Sequence, residues 1–367
     1  MISVDWEMAA RTAKRLTPPG PQVAKREMAA AVSELKAAAA KAIELVVNTS
    51  GLPNDGRAAV YVVDRPSIIA VNLANSAHLL QASGLDTPSL TQDRPSKSLG
   101  LILGGVMSYL ARGLLGQFVP FQRPALYLVA PNVMDSERKL SVDPHDFRLW
   151  VCLHEQTHQA QFAAAPWLAD RLLRLISEMA LAEADEDERA DMFLDIGQRV
   201  LRAGRGKMAT LGLMDILRES APPKMSAALD ALTAQMSLLE GHADVIMDEV
   251  GPRVIPSLSS IRAKFDKRRA ERTTGLKALP AKLTGMDAKL AQYADGARFC
   301  RAVLRDASMG TLNLAFASPE NVPTLAELSD PAAWMNRVGT ASRGLVPPPL
   351  PTDTESESGP ARARRAE

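Results

Sequence analysis

The sequence is poor in cysteine and has almost no excess of positive charge. Its 367 residues include two cysteines, Cys152 and Cys300, which cannot form a disulfide framework and are compatible with a reducing compartment. Lysine and arginine total 43 against 42 aspartate and glutamate, a formal net charge of +1, and no segment is basic enough to follow a phosphate backbone. A chain of this length can still bury a large hydrophobic core. These shortages argue against nucleic-acid binding and leave a globular protein.

Signals for export and for membrane insertion are also missing. The N-terminus has two acidic residues in its first seven and no apolar run, the reverse of a secretory signal. The most membrane-like segment, Leu99 to Ala111, is shorter than the roughly 20 residues that a membrane span requires, and it predicts a buried helix. The alternative is a helix that packs within a bilayer through Gly100, Gly104 and Gly105. We expect a soluble, cytoplasmic protein that binds no membrane.

Apolar residues spaced three and four apart predict a mainly helical chain. Two short segments of β-branched or aromatic residues, Ala59–Val63 and Ala125–Val129, are bounded by turn residues and predict strands of a small sheet. The expected fold class is therefore mainly α with a small β-sheet (α+β). The expected helices cover residues 26–47, 66–81, 144–165, 169–183, 189–203, 224–249 and 262–272, the last of them on the surface.

Three segments have the composition of connections. Residues 84–97 are rich in proline, serine, threonine and aspartate, which is typical of a loop. The acidic run at residues 183–188 is typical of a solvated turn. After Val346 the chain is low in hydrophobic residues and rich in proline, serine and charge, so we expect a disordered tail.

Two of the five histidines have a spacing that suits metal binding. His154, Glu155 and His158 spell H-E-x-x-H inside a predicted helix, and residues four apart lie about 40° apart around a helix, so both imidazoles can reach one ion. Zinc at this place would lower the pKa of a bound water toward about 7, and Glu155 would take its proton as general base. The alternative is a helix with two solvent histidines and a glutamate between them.

The third ligand has two candidates in the segment Glu240-Gly241-His242-Ala243-Asp244. Glu240 is the preferred ligand, and Asp244, one turn on, would accept the free ring N–H of a ligating histidine. His242 lies about 200° from Glu240 around the helix, so the two cannot easily share the ion. His242 is therefore an alternative ligand, a group that stabilises the oxyanion in the cleft, or a surface histidine.

The remaining candidates have simpler explanations. His145 faces about 180° away from His154 and is interpreted as a surface or capping residue. His78 is interpreted as a packing residue. Cys152 faces about 200° away from the histidine pair, which favours a core thiol over a fourth ligand.

The residues together resemble a known family. H-E-x-x-H on a helix with a later glutamate in E-x-x-x-D resembles the gluzincin pattern, and the chain resembles the zincin-like metallopeptidases and hydrolases found mainly in actinobacteria. The resemblance covers residues 4 to 338. The matching stretches are Val4-Asp5-Trp6, Pro18-Pro19-Gly20-Pro21, Asp64-Arg65-Pro66-Ser67, Leu115-Gly116-Gln117-Phe118, Val129-Ala130-Pro131-Asn132-Val133, the HEQTHQAQF run, Leu239-Glu240-Gly241-His242 and Ser329-Asp330-Pro331-Ala332-Ala333-Trp334.

The resemblance implies a mostly helical fold with a zincin-like core, in which Zn²⁺ is held by His154, His158 and Glu240 and Glu155 is the general base. On this basis we expect an N-terminal region at 1–140 that contains the sheet, a zincin-like catalytic region at 141–340 and the tail at 341–367. The chain departs from familiar gluzincins in the long interval between its two ligand helices, which leaves both third-ligand candidates open.

The expected function is that of a zinc-dependent hydrolase, most similar to a peptidase, in which an activated water attacks an amide carbonyl. The substrate would be a peptide or another amide, and the strand Ala125–Val129 would line the cleft as an edge strand that pairs with it. The alternatives are a non-catalytic helical binding protein with a structural or vestigial zinc site, and a protein that binds no metal.

Overall fold

The computed structural model describes residues 4–54, 56–83, 96–180, 223–273 and 286–343. Within these ranges the chain is mainly helical with a three-stranded sheet, which confirms the predicted fold class. The strands are β1 (Ala59–Val63), β2 (Gly116–Val119) and β3 (Ala125–Val129). The helices are α1 (Trp6–Leu16), α2 (Lys25–Ser50), α3 (Arg65–Ala82), α4 (Lys97–Ala111), α5 (Ala130–Leu140), α6 (Pro144–Ala164), α7 (Trp167–Ala180), α8 (Pro223–Glu249), α9 (Leu258–Thr273), α10 (Met286–Asp306), α11 (Met309–Asn313), α12 (Leu325–Ser329) and α13 (Pro331–Arg343).

The sheet has the strand order β1, β3, β2. Strand β3 pairs in parallel with β1, with Tyr127 opposite Tyr61, and antiparallel with β2, with Tyr127 opposite Gln117. Both predicted strands are confirmed, whereas β2 was missed. The prediction that Ala125–Val129 is an edge strand is wrong, because β3 is the central strand and is hydrogen-bonded on both sides. Among the described residues, β1 and β2 form the two edges instead.

Helix α6 runs through the centre of the molecule. Asp143 caps it by accepting a hydrogen bond from the backbone N–H of Asp146 at 2.9 Å, and Pro144 in the first turn needs no hydrogen-bond partner. The helix packs against α2, α8 and β2 and is buried on most of its circumference. Neighbours on every side therefore fix its position and rotation, which suits a helix that carries reactive side chains.

The main hydrophobic core takes side chains from many elements. It begins with Leu35 on α2, includes Leu126 and Leu128 of β3, and extends to Phe316 near the C-terminus. A second cluster joins α8, α10 and α13, where the rings of Phe299 and Trp334 meet edge to face with centroids 5.2 Å apart. The first cluster includes residues on both sides of position 140, and the domain boundary there stays a prediction.

Several stretches that carried the family resemblance meet at one buried arginine. The side chain of Arg65 donates to Oδ1 of Asn132 at 2.7 Å and to the carbonyl oxygens of Pro18 and Pro19 at 3.0 and 2.9 Å. Asn132 in turn donates to the carbonyl of Leu114 at 2.6 Å. These bonds join the N-terminal segment, α3, α5 and the turn before β2, so the stretches share a structural role.

Helix α4 differs from its prediction. Leu101 and Ile102 are 50% and 63% exposed, so the helix is buried on one face only. On that face a Cβ at Gly100 or Gly104 would lie 2.5 or 2.6 Å from carbonyl oxygens of α1, which shows that the small residues allow close packing against α1. Among the helices within the described ranges, none has both the length and the apolar character needed to cross a membrane.

The other helix predictions agree with the structure where it can be compared. Helices α2, α3, α6, α7, α8 and α9 lie at the expected places, with ends that differ by a few residues. The predicted helix at 189–203, the acidic turn at 183–188, most of the loop at 84–97 and the tail lie outside the described residues.

Candidate metal centre

Three side chains converge where α6 packs against α8. The Nε2 atoms of His154 and His158 lie 3.1 Å apart, and the carboxylate of Glu240 lies 3.4 Å from the first and 3.8 Å from the second. Zinc with bonds of 2.0–2.1 Å in a tetrahedron holds its ligand atoms roughly 3.3 Å apart. The spacing of the three ligand atoms therefore fits a zinc ion, and they could hold a metal ion together.

The helices explain how these side chains meet. His154 and His158 are four residues apart on α6, so their rings lie on adjacent turns, with planes at 87° to each other. Glu240 reaches them from α8, which is tied to α6 by a hydrogen bond from Nε2 of Gln161 to the carbonyl oxygen of Leu239 at 2.8 Å. The structure thus brings Glu240 to the histidine pair.

Glu155 lies beside the histidine pair and is nearly buried. Burial raises the pKa of its carboxyl group to about 7, and the negative charge of Glu240 acts in the same direction. His154 and the backbone N–H of Phe118, which donates to the carboxylate, act against this rise. A carboxyl group with a pKa near neutrality can both take up and release a proton at physiological pH.

Strand β2 leaves room for Glu155 by means of a glycine. A Cβ atom at Gly116 would lie 2.6 Å from Cγ and 2.9 Å from Oε1 of Glu155, closer than non-bonded atoms approach. Any other residue at this position would displace the carboxyl group or the strand. The sequence does not reveal this contact, because a single glycine in a strand has several explanations.

Both ligand histidines have altered proton affinities. Burial lowers the pKa of His154, but hydrogen bonding and charge attraction from Glu240 outweigh this and raise it overall. Burial and the neighbouring His154 lower the pKa of His158, although Glu240 and Gln161 oppose the change. The pair therefore does not hold two protons readily.

His242 does not join the ligand atoms. It is fully buried, with its ring edge to face with Phe316 at 5.0 Å, so the interpretation as a surface histidine is wrong. Its ring does not join the group of His154, His158 and Glu240, which gives no support to the interpretation as a ligand, and it does not line the cavity beside them, which gives none to the interpretation as an oxyanion group. Its Nδ1 lies 3.1 Å from Nε2 of Gln161, and burial lowers its pKa to about 3.

Asp244 lies close to the site but has different partners from those expected. Its carboxylate binds Arg262 of α9 and accepts from Arg301 of α10 at 2.8 Å. Asp248 binds the same two arginines at 2.6 and 3.0 Å. Nδ1 of His158 instead lies 2.9 Å from Oε1 of Gln161. The four charged side chains thus join α8, α9 and α10, and Gln161 takes the place predicted for Asp244 at this ring.

A cavity of about 340 Å³ opens beside the three ligands. His154, Glu155 and Glu240 form one part of its wall. The guanidinium of Arg262 lies 5.6 Å from the ring centre of Trp150, where a cation and an aromatic face attract each other. The rest of the wall includes Trp150, Phe265, Met247, Arg262, Arg298 and Arg301. The candidate metal centre is therefore accessible to a small molecule or a short peptide.

The other candidates lie away from this centre. His145 is exposed and pairs with Glu34 at 2.9 Å, in agreement with its interpretation as a surface residue. Nδ1 of His78 lies 3.1 Å from the side-chain amide of Gln122. Cys152 is fully buried, and burial raises the pKa of its thiol, as expected of a core cysteine.

The comparison with known families matches this geometry. A sequence profile of zincin-like metallopeptidases matches residues 4–335, which is nearly the whole chain and includes the two histidines, Glu155 and Glu240. The chain belongs to the zincin-like metallopeptidase family. The predicted resemblance to zincin-like metallopeptidases is thus confirmed at the level of the family.

A solved structure gives a second comparison. The chain is similar to a candidate hydrolase with a novel fold from Chloroflexus aurantiacus, whose crystal structure matches with a TM-score of 0.66 and 27% sequence identity. The match covers 92% of this chain and 99% of the other. A search of functionally curated proteins finds no match.

Proposed function

We propose that the protein is a zinc-dependent hydrolase that cleaves an amide bond, in the manner of a peptidase. The observation that supports this most is the position of Glu155 beside the three converging ligand atoms, in the wall of an open cavity. A purely structural zinc site has no chemical use for a carboxyl group beside it. A non-catalytic protein with a structural zinc site is the alternative.

Different residues of the site have the roles of metal binding and proton transfer. His154, His158 and Glu240 would hold the ion, which when bound supplies Lewis acidity at neutral pH. The Glu155 carboxylate takes a proton from the attacking water and passes it to the nitrogen of the leaving amine. The N–H of Phe118 holds the carboxylate in place between these two transfers.

Strand β2 is better placed than β3 for the substrate role. It is one of the two edge strands in the described part of the chain, and the N–H of Phe118 points away from β3 toward Glu155. An edge strand can bind an extended peptide through backbone hydrogen bonds. We infer that a substrate lies along β2, with its scissile amide near Glu155.

The substitution Glu155→Gln tests the proposed reaction. It keeps the size of the side chain and removes its capacity to take a proton, so we expect hydrolysis of a peptide library to fall at least about 10²-fold. Zinc content, measured by elemental analysis of protein purified without chelator, is expected to stay at one ion per chain.

The matched control is Glu44→Gln, the same change at an exposed position on α2, which should leave hydrolysis and zinc content unchanged. Full activity of Glu155→Gln would overturn the mechanism. One bound zinc ion with no hydrolysis by the unmodified protein would favour the structural zinc site. A protein that fails to take up zinc would end the proposal.

A further inference from the structure

A row of hydrogen bonds links the ring of His158 to the buried His242. Gln161 lies three residues after His158 on α6, and its side chain is completely buried. Oε1 of Gln161 is 2.9 Å from Nδ1 of His158. Its Nε2 is 2.8 Å from the carbonyl oxygen of Leu239 and 3.1 Å from Nδ1 of His242. One amide thus contacts both helices that supply the metal ligands.

The carbonyl of Leu239 determines which way this amide points. A carbonyl oxygen only accepts hydrogen bonds, so the atom of Gln161 that faces it must be the NH₂ nitrogen. Oε1 then faces His158, and because that oxygen also only accepts, Nδ1 of His158 must carry the proton. The other ring nitrogen, Nε2, is left with its lone pair directed toward His154 and Glu240. This is the form of histidine that binds a metal through Nε2.

His242 completes the arrangement on the far side of the amide. The second N–H of Gln161 points to Nδ1 of His242, which must accept and therefore carries no proton. The proton of the neutral ring is then on Nε2, next to the side chain of Asn313. Nε2 of His242 and Oδ1 of Asn313 are both buried, and neither forms a hydrogen bond of ordinary geometry, to the other or to any other group among the described residues, so each is available to the other. Nδ2 of Asn313 donates to the carbonyl oxygen of Ser50 at 2.7 Å, which fixes this amide as well.

We propose that Gln161 and His242 are positioning residues for the metal, which select the tautomer and the ring orientation of His158. Gln161 acts directly on the ligand, and His242 acts through Gln161 by holding its second N–H. The inference rests on the metal site of the proposed function but not on any reaction there. It assigns to a histidine of the E-G-H-A-D segment a role that is neither ligation nor catalysis.

The tautomers can be read directly by NMR. We expect ¹⁵N spectra of the full chain labelled at its five histidines, without zinc at about pH 8, to show a proton on Nδ1 of His158 and on Nε2 of His242. Single His→Gln variants assign the signals. A proton on Nε2 of His158, or on Nδ1 of His242, would overturn the proposal.

Zinc affinity, measured by competition with a chelator, tests the consequence. Gln161→Met keeps the length of the side chain and loses the amide, so we expect zinc to bind about 10–100-fold more weakly. His242→Phe keeps an aromatic ring against Phe316 and is expected to weaken zinc binding by a smaller factor. Gln159→Met is the matched control, because it removes a buried glutamine from the same helix, and its zinc affinity should be unchanged.

The double variant Gln161→Met/His242→Phe separates action through Gln161 from independent action. If His242 acts through the amide, the double variant binds zinc no more weakly than Gln161→Met alone. Losses that multiply would show that His242 acts independently and would contradict the proposal, as would an unchanged affinity in Gln161→Met.

Two further results keep this test separate from that of the proposed function. If the variants fail to fold, by circular dichroism, the tautomers of the unmodified chain decide the question. A chain that binds no zinc would end the proposed function, while the NMR spectra would still support or refute the arrangement of Gln161 and His242.

Discussion

Glu155 is the residue on which the proposed chemistry depends most. Its carboxyl group is held in a buried place beside two imidazoles, and this burial is the main reason that its pKa rises to about 7. Its protonated form cannot take a proton from water. A nearby divalent cation favours the charged carboxylate, so in the zinc-loaded protein the pKa lies below this value.

The pH dependence of hydrolysis follows from this carboxyl group. We expect kcat/KM to increase about tenfold per pH unit below the pKa of Glu155 and to become constant by about pH 7, since only the ionised form is a base. A pH profile of kcat/KM between pH 4 and 8, with zinc content checked at each pH, measures this. Activity that falls as pH rises through this range would contradict the role as general base.

Gly116 offers a second test at the scale of a residue. Alanine there would place a Cβ within 2.6 Å of the Glu155 side chain and push the carboxyl group out of position. We expect Gly116→Ala to lower kcat by about 10²-fold, because small misplacements of a catalytic group have effects of this size, while zinc remains bound.

Gly113→Ala is the control for this change, because a Cβ at Gly113 would meet only one atom, at 3.9 Å, and activity should stay near that of the unmodified protein. Equal kcat values for the two alanine variants would show that the contact with Glu155 has no role in turnover.

The sequence predicts those features of the site that depend on one helix, and it does not predict those that depend on contacts between helices. His154 and His158 are four apart on one helix, so their convergence follows from helical spacing alone. The partner of Asp244 depends on α9 and α10, whose arginines no local pattern connects to it. His242 was placed opposite Glu240 around the helix, correctly, but that side of α8 packs into the protein because α8 is buried nearly all round. A residue on the helix face opposite the ligand is exposed only when the helix lies on the surface of the protein.

At the scale of elements, the crossing of α8 and α10 sets the position of Glu240. A Cβ at Gly241 would lie 2.2 Å from the backbone carbon of Gly296, and one at Gly296 would lie 1.9 Å from the carbonyl oxygen of Ser237. The two glycines let the backbones touch directly next to a ligand. The glycine of the E-G-H-A-D segment therefore has a packing role that its sequence context does not show.

Gly241→Ala tests this crossing. We expect it to lower the free energy of unfolding by about 1–3 kcal/mol or more, because the added methyl group forces the helices apart, and to weaken zinc binding by moving Glu240. Chemical denaturation and chelator competition measure the two effects.

Gly105→Ala is the control for this substitution. It also replaces a helical glycine, but a Cβ at Gly105 would contact nothing within 4 Å, so stability should stay the same or increase. A Gly241→Ala variant as stable as this control would show that the helices adjust without cost.

Some of the strands are easier to predict from the sequence than others. Strands β1 and β3 are runs of five apolar residues between turns, and both were predicted with their observed ends. Strand β2 has only four residues, which include a glycine and a glutamine, and its pairing with β3 depends on the rest of the fold. Because β2 was not predicted, β3 was wrongly expected to lie at the edge of the sheet.

At the scale of the whole molecule, the metal centre joins parts of the chain that lie far apart in sequence. Helices α6 and α8 each supply ligands, and the Asp244 and Asp248 carboxylates extend the connection from α8 to α9 and α10. An ion bound by the folded state alone shifts the folding equilibrium toward that state.

Removal of zinc should therefore destabilise the fold. With free zinc at 100 times its Kd, binding adds about 2.7 kcal/mol to the free energy of unfolding, so we expect chelation to lower Tm measurably. Differential scanning calorimetry with and without a chelator measures this. His154→Gln/His158→Gln is the control, in which Tm should not respond to the chelator. An equal response in both proteins would place the effect of the chelator outside this site.

The mainly helical fold was predictable because apolar spacing repeats in nearly every long segment. The way in which the helices assemble was less so, since bonds such as those of Arg65 with Asn132 and Pro18 join positions without a shared local pattern. Helix α4 is a second example, because one apolar face is exposed while its glycines pack on α1. In the sequence, this helix has the same apolar run as a helix that is buried on all sides.

The separation of the ligands along the chain has a consequence for protein synthesis. His154 and His158 leave the ribosome well before Glu240, and Leu239, which orients Gln161, is the neighbour of Glu240 on α8. A nascent chain that ends before α8 holds two of the three ligands and lacks the carbonyl that orients Gln161. A site built from these three ligands can therefore form only after α8 has been made and has docked on α6.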